Sequence, residues 1–205
     1  MLDIFIKGLI IGFAIAAPVG PIGLLCINRS LVNGFKIGLM TGLGAALADG
    51  AYGCIAAFGL TAVSAWLVSH QLWIRGIGGL FLIYLGCKLF FTKSHDQTLN
   101  DIGEKSVWHA FTTTFFLTLT NPMTILSFAA IFAGLGVGTE HPNFIHATMM
   151  VAGVIVGSTS WWFILSGSVT YFLHHKMNEK TRRLIDTLSG LIILLFGLVS
   201  LKVFL

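Results

Sequence analysis

Ala17-Pro18-Val19-Gly20-Pro21-Ile22-Gly23 interrupts an uncharged, apolar run that extends from Gly8 to Asn28. A proline removes a backbone donor and clashes with the preceding turn, so two of them three residues apart break a helix. Gly20 between them lets the backbone turn or approach a neighbour closely. In lipid, the carbonyls freed by such a break need partners, and breaks are tolerated where protein covers them or they line a cavity. The stretch therefore predicts a broken membrane helix that forms part of a binding site.

The rest of the chain supports a membrane setting. Of 205 residues, 56% are hydrophobic and 10% charged, and the mean hydropathy is +0.89. Soluble domains carry about 25% charged residues, so an all-α integral membrane protein is expected. The net charge of +4 does not point to nucleic acid, because the basic residues sit at the ends of apolar runs. Cys26, Cys54 and Cys87 lie in separate apolar segments without a CxxC pairing, which suits small buried side chains better than a disulfide or a metal site.

Six spans are expected, each near the roughly 20 residues that cross a hydrocarbon core. The first is Gly8–Asn28, retained and not cleaved, since the start carries Asp3 and Lys7 and lacks a small-residue cleavage site. A polar turn from Arg29 to Lys36 follows. The second span runs from about Ile37 to Leu60 and on toward Trp66, and the third from about Trp73 to Phe91. The mixed-charge stretch 93–106 is expected to be a solvated loop. The fourth span lies between Trp108 and Leu135 and is broken at Asn121-Pro122. The fifth covers about Ala147–Tyr171 and the sixth Leu184 to the C-terminus. Lys7, Arg75 and Lys202 fall on one side of this layout, and the other nine basic residues on the opposite side. The positive-inside rule puts the nine, with loops 1–2, 3–4 and 5–6, in the cytoplasm and both termini outside.

A weak internal repeat accompanies the layout. A shift of 111 residues places Gly42 on Gly153, Ala46 on Gly157, Gly79 on Gly190 and Gly86 on Gly197, and a shift of 101 places Gly20-Pro21 on Asn121-Pro122. Residues 1–92 and 107–205 are thus expected to be two three-helix repeats within one membrane domain, joined by the cytoplasmic loop 93–106. An odd number of spans per repeat inverts the second copy. Inverted repeats with interrupted helices in corresponding places point to a secondary transporter's midplane site.

Asp49, in Ala48-Asp49-Gly50-Ala51-Tyr52, is the acidic residue well inside the membrane. Its insertion costs about 2.5–3.5 kcal/mol, so a functional role is the default: accepting a proton, holding a substrate ammonium, or both in turn. A purely structural Asp would be satisfied by a neighbouring helix's backbone or by Asn121. Lys88 and Asp186 lie closer to span ends, where snorkelling or interfacial exposure explains them. Gly34, Gly38, Gly42, Ala46 and Gly50 form a small-residue face suited to close helix approach, within or between subunits, so a homo-oligomer is open. Trp66, Trp73, Trp108 and Tyr171 suit interfacial anchoring. Trp161 and Trp162 lie deeper, where lipid-facing bulk is favoured over a substrate-stacking role.

Together these stretches, with Gly79-Leu80-Phe81-Leu82-Ile83-Tyr84-Leu85-Gly86 and Leu119-Thr120-Asn121-Pro122, resemble the LysE/RhtB family of amino-acid exporters over essentially the whole chain. The resemblance implies a six-helix exporter of the bacterial cytoplasmic membrane. It would move amino acids or close derivatives outward on the proton gradient. It carries over Gly20 and Pro21 of the first-span motif, Asp49, and Asn121 with Pro122. Family members often have Pro-Gly-Pro-Asn and Asn-Pro-Lys where this chain has Gly20-Pro21-Ile22 and Asn121-Pro122-Met123, so no particular substrate is implied.

The expected mechanism is alternating access between the halves, with Pro18, Gly20, Pro21, Asp49, Asn121 and Pro122 around substrate and proton. Two other classes fit a membrane chain of this kind. A cation or metal-ion exporter needs several carboxylate, thiolate or imidazole ligands together, whereas the seven histidines lie near loops or span ends. A non-transporting scaffold is the other. No HExxH, GxSxG or P-loop pattern occurs, so no enzyme activity, cofactor or direct ATP drive is expected.

Overall fold

The computed structural model describes residues 1–18, 20–57, 66, 69–91, 104–121, 124, 127–128, 144–173 and 179–201. Pro21 starts a helix there instead of ending one. Leu2–Ala16 (α1) stops before the prolines, and Pro21–Asn33 (α2) takes Pro21 at its first position, where a missing N–H costs nothing. The two axes meet at 80°. At 1.5 Å per residue, each piece covers only about 20 Å, too short to cross alone. The expected break is therefore present. Helix α2 nevertheless continues to Asn33, so the polar turn expected from Arg29 shrinks to Gly34, whose φ of +83° closes the helix.

The remaining helices are Phe35–Ala57 (α3), Gln71–Phe91 (α4), Glu104–Leu119 (α5), Phe144–Leu173 (α6) and Glu179–Leu201 (α7). Helix already begins at Glu104, inside the expected 93–106 loop. Among the described residues, four helices are long and apolar enough to cross a membrane, or five spans if α1 and α2 form one broken crossing. The fourth expected span starts as α5, but its 16 residues cover only about 24 Å, and most of its expected continuation to Leu135 lies outside the described residues.

Large apolar side chains face outward, among them Leu80, Tyr84, Phe163, Ile164, Leu195 and Val199. The interior mixes apolar side chains such as Leu25, Leu117 and Ile193 with small and hydroxyl ones: Ala45, Ala48, Thr41, Thr114, Thr118, Ser158 and Ser166 are all at most 2% exposed. This is the distribution lipid imposes, because apolar side chains gain nothing by leaving it, whereas small residues let helices meet and hydroxyls bond across them. Trp66, Trp73, Trp108 and Tyr171 are all exposed, as interfacial anchors should be.

Glycines set which helices meet. Helix α1 crosses α6 at Gly8 and Gly12 against Gly153 and Gly157, where any Cβ would strike the opposing backbone. Helix α4 crosses α7 in the same way: a Cβ on Gly86 would lie 2.8 Å from the Gly190 carbonyl, and one on Gly190 2.9 Å from that of Gly86. Helix α3 packs on α2, α5 and α6. Its small-residue face is used within the chain, Gly42 under Trp162 and Gly50 under Ile155. That face is therefore not free for a second subunit.

Candidate functional site

The break between α1 and α2 opens on a cleft of about 380 Å³. Ile15 and Ala16 bring the C-terminal end of α1 to it, and Gly20 to Gly23 the N-terminal end of α2. Ala45 and Asp49 come from α3, Thr118 and Asn121 from the end of α5, and Trp162 from α6. Pro18, Gly20, Pro21, Asp49 and Asn121, nominated in sequence, thus surround one space. Pro122, nominated with them, lies outside the described residues.

Helix polarity gives the cleft its electrostatics. The first turn of α2 has no side-chain cap, so partial positive charge of its amides is turned toward the cleft. The C-terminal ends of α1 and α5 bring partial negative charge to the same space. At the end of α1 the Ala17 N–H donates to the Phe13 carbonyl, and at the end of α5 the Asn121 N–H donates to that of Thr118. The Tyr52 hydroxyl donates across to the Leu119 carbonyl at the C-terminal end of α5, while its ring stacks on Phe128. Tyr52 thereby ties α3 to the end of α5, a role its motif did not reveal.

Gly20 is extended, at φ −106° and ψ −163°, which any residue can adopt. A Cβ there would meet nothing within 4 Å. The expectation that glycine serves a turn or a close contact is therefore corrected: what its missing side chain leaves is open space at the mouth of α2.

Asp49 is 3% exposed. Among the described residues its hydrogen-bond partner is not a backbone group or Asn121 but Ser158 of α6, whose hydroxyl donates to Oδ2 at 2.7 Å. The Trp162 indole N–H donates in turn to the Ser158 oxygen at 3.2 Å. The Ser158 hydroxyl, backed by the Trp162 N–H, offers its proton to the carboxylate, which favours the charged form. Trp162 is 4% exposed and lines the cleft, which overturns its assignment as lipid-facing bulk. Among the described residues no three His, Cys, Asp or Glu side chains gather as a metal ion would need.

Two further residues depart from expectation. Asp186 is not interfacial: it is 7% exposed and accepts a hydrogen bond from the Asn28 amide at 2.8 Å. Arg29, expected in a turn, projects from the last part of α2 into a nest of threonines.

Known proteins resemble this chain over most of its length. The family model described as LysE type translocator matches residues 13–202. A Bacillus subtilis (strain 168) protein, YcgF, whose name proposes amino acid efflux, is 29% identical over 96% of this chain and 94% of its own. The arginine exporter protein ArgO of Enterobacter sp. (strain 638) is 24% identical over 94% of this chain and 90% of its own. The uncharacterized membrane protein YahN of Escherichia coli (strain K12) is 27% identical over 84% and 77%. No solved structure matches the chain.

Proposed function

We propose that this chain, which belongs to the LysE type translocator family, exports amino acids or close derivatives from the cytoplasm in exchange for protons, through the cleft at the α1–α2 break. The observation that carries the reading is the meeting of a buried carboxylate, an uncapped helix N-terminus and two helix C-termini around one space. An amino-acid zwitterion needs that set of charges. Its carboxylate suits the α2 amides, and its ammonium suits Asp49 and the carbonyl ends of α1 and α5.

Coupling follows from one carboxylate having two uses. A proton and a substrate ammonium cannot both occupy Asp49, so release of one outside permits capture of the other. Ser158 and Trp162 keep the empty carboxylate satisfied between the two. Asp49 lies fourteen residues into α3, about 21 Å along its axis, a depth suited to access from either side in turn.

Alternating access is supported by the order of helix pairs. In two inverted halves, α1 and α5 open the repeats, α3 and α6 stand second, and α4 and α7 close them. The pairs α1 with α6, α3 with α5, α3 with α6, and α4 with α7 are each carried into one another or themselves by exchanging the halves. The positive-inside bias puts loops 1–2, 3–4 and 5–6 in the cytoplasm. The cation-exporter alternative gains no specific observation.

The substrate class is tested by counterflow in proteoliposomes with L-arginine, L-leucine, L-threonine and their carboxamides. Saturable exchange of at least one free amino acid, with its carboxamide excluded, is expected. Folded, inserted protein that exchanges none of them would overturn the reading.

A further inference from the structure

A second cavity, about 810 Å³, opens farther along α2. Asn28 and Arg29 of α2, Lys88 of α4, His109 of α5 and Asp186 of α7 line it, so four helices contribute polar side chains. Arg29 stands eight residues beyond Pro21, about 12 Å down the same helix. Lys88 and His109 are exposed at its edge, while Asn28 and Asp186 are buried.

Among the described residues, the hydrogen-bond partners of Arg29 and Asp186 here are neutral groups. Arg29 Nη1 donates to Thr41 Oγ1, to Thr114 Oγ1 and to the Ala110 carbonyl, and Nη2 to Thr113 Oγ1, each at 3.1 Å. All four acceptors are neutral. They fix the guanidinium in place without supplying a counter-charge, although a cation withdrawn from water is costly unless it is paired. Asp186 mirrors this with a neutral amide as its hydrogen-bond partner. A fixed guanidinium and a buried carboxylate on different helices, facing one space and each bonded to neutral groups, form a site for a ligand that carries both charges.

We propose that this cavity is a second amino-acid binding site, a vestibule in which Arg29, with Lys88 beside it, takes the substrate carboxylate and Asp186 its ammonium before the substrate moves along α2 to the cleft at Asp49. Guanidinium and carboxylate match in bidentate geometry, which makes arginine the suitable residue there. The substrate class rests on the export reading above; the binding itself does not require transport.

The test is calorimetric binding to the purified full chain in nanodiscs, with L-arginine and L-leucine and with their carboxamides as probes. Flux is measured in parallel from each face of proteoliposomes. Wild type is expected to bind two equivalents of at least one free amino acid. Asp49→Asn should lose one equivalent and Arg29→Gln the other, with Arg29→Lys restoring it in part. Arg29→Gln is further expected to raise KM at least tenfold for entry from one face only. A merely structural arginine would not produce that sidedness. A single equivalent in wild type that Asp49→Asn abolishes would overturn the vestibule. So would a normally melting Arg29→Gln protein that keeps two equivalents and both KM values. Two equivalents bound without any flux would count against export while leaving the vestibule standing.

Discussion

Ser158 holds two groups at once, donating to Asp49 and accepting from Trp162. Ser158→Ala strands both, and a buried group left unsatisfied costs about 1–3 kcal/mol. Lower thermal stability in detergent and an efflux rate reduced by about tenfold are expected, with Ser158→Thr retaining most of each. A wild-type rate and melting temperature in the alanine protein would remove the relay from the mechanism. Gly20 gives the opposite kind of test, because a side chain there enters open space from an unstrained backbone. Gly20→Val should fold and melt as wild type yet slow efflux by narrowing the cleft, and unchanged transport kinetics would show that the cleft is not on the path. Asp49 was legible in the sequence because a carboxylate deep in an apolar helix stands out. Its partner was not, because a serine in a helix does not disclose which neighbour it faces. The adjacent tryptophans show the limit: Trp162 shares the inward face with Ser158 four residues earlier, and only the register of α6 on α3 reveals it.

At the scale of elements, the α1–α6 and α4–α7 crossings rest on backbone meeting backbone. Gly12→Leu or Gly86→Leu forces these helices apart, so neither variant is expected to yield monodisperse protein, as read by size-exclusion profile after membrane extraction. Folded Gly86→Leu protein with normal stability would refute so close a crossing. The break was legible because two prolines in an apolar run admit few other readings. Its consequence was less so. Pro21 at the first position of α2 starts a helix that carries Arg29 inward, against Thr113 and Thr114 of α5, whereas charge counting alone left it in a turn. The burial of Asp186 is hidden for the same reason, since distance from a span end does not report that Asn28 bonds to it. The small-residue stripe on α3 was visible in sequence, but not that Trp162 and Ile155 of the same chain fill it.

For the whole molecule, the proposal needs both termini outside and the basic loops in the cytoplasm. A phosphatase active only outside the cytoplasm, fused after Leu205, is expected to be active; an inactive fusion with intact export would exclude six spans with both termini outside. The central claim, that the cleft at the α1–α2 break exchanges substrate for protons at Asp49, is tested most directly by amino-acid flux in proteoliposomes under an imposed pH gradient. The wild type should accumulate substrate against its gradient, and Asp49→Asn should lose that accumulation altogether. Undiminished proton-driven accumulation in folded Asp49→Asn protein would contradict the claim.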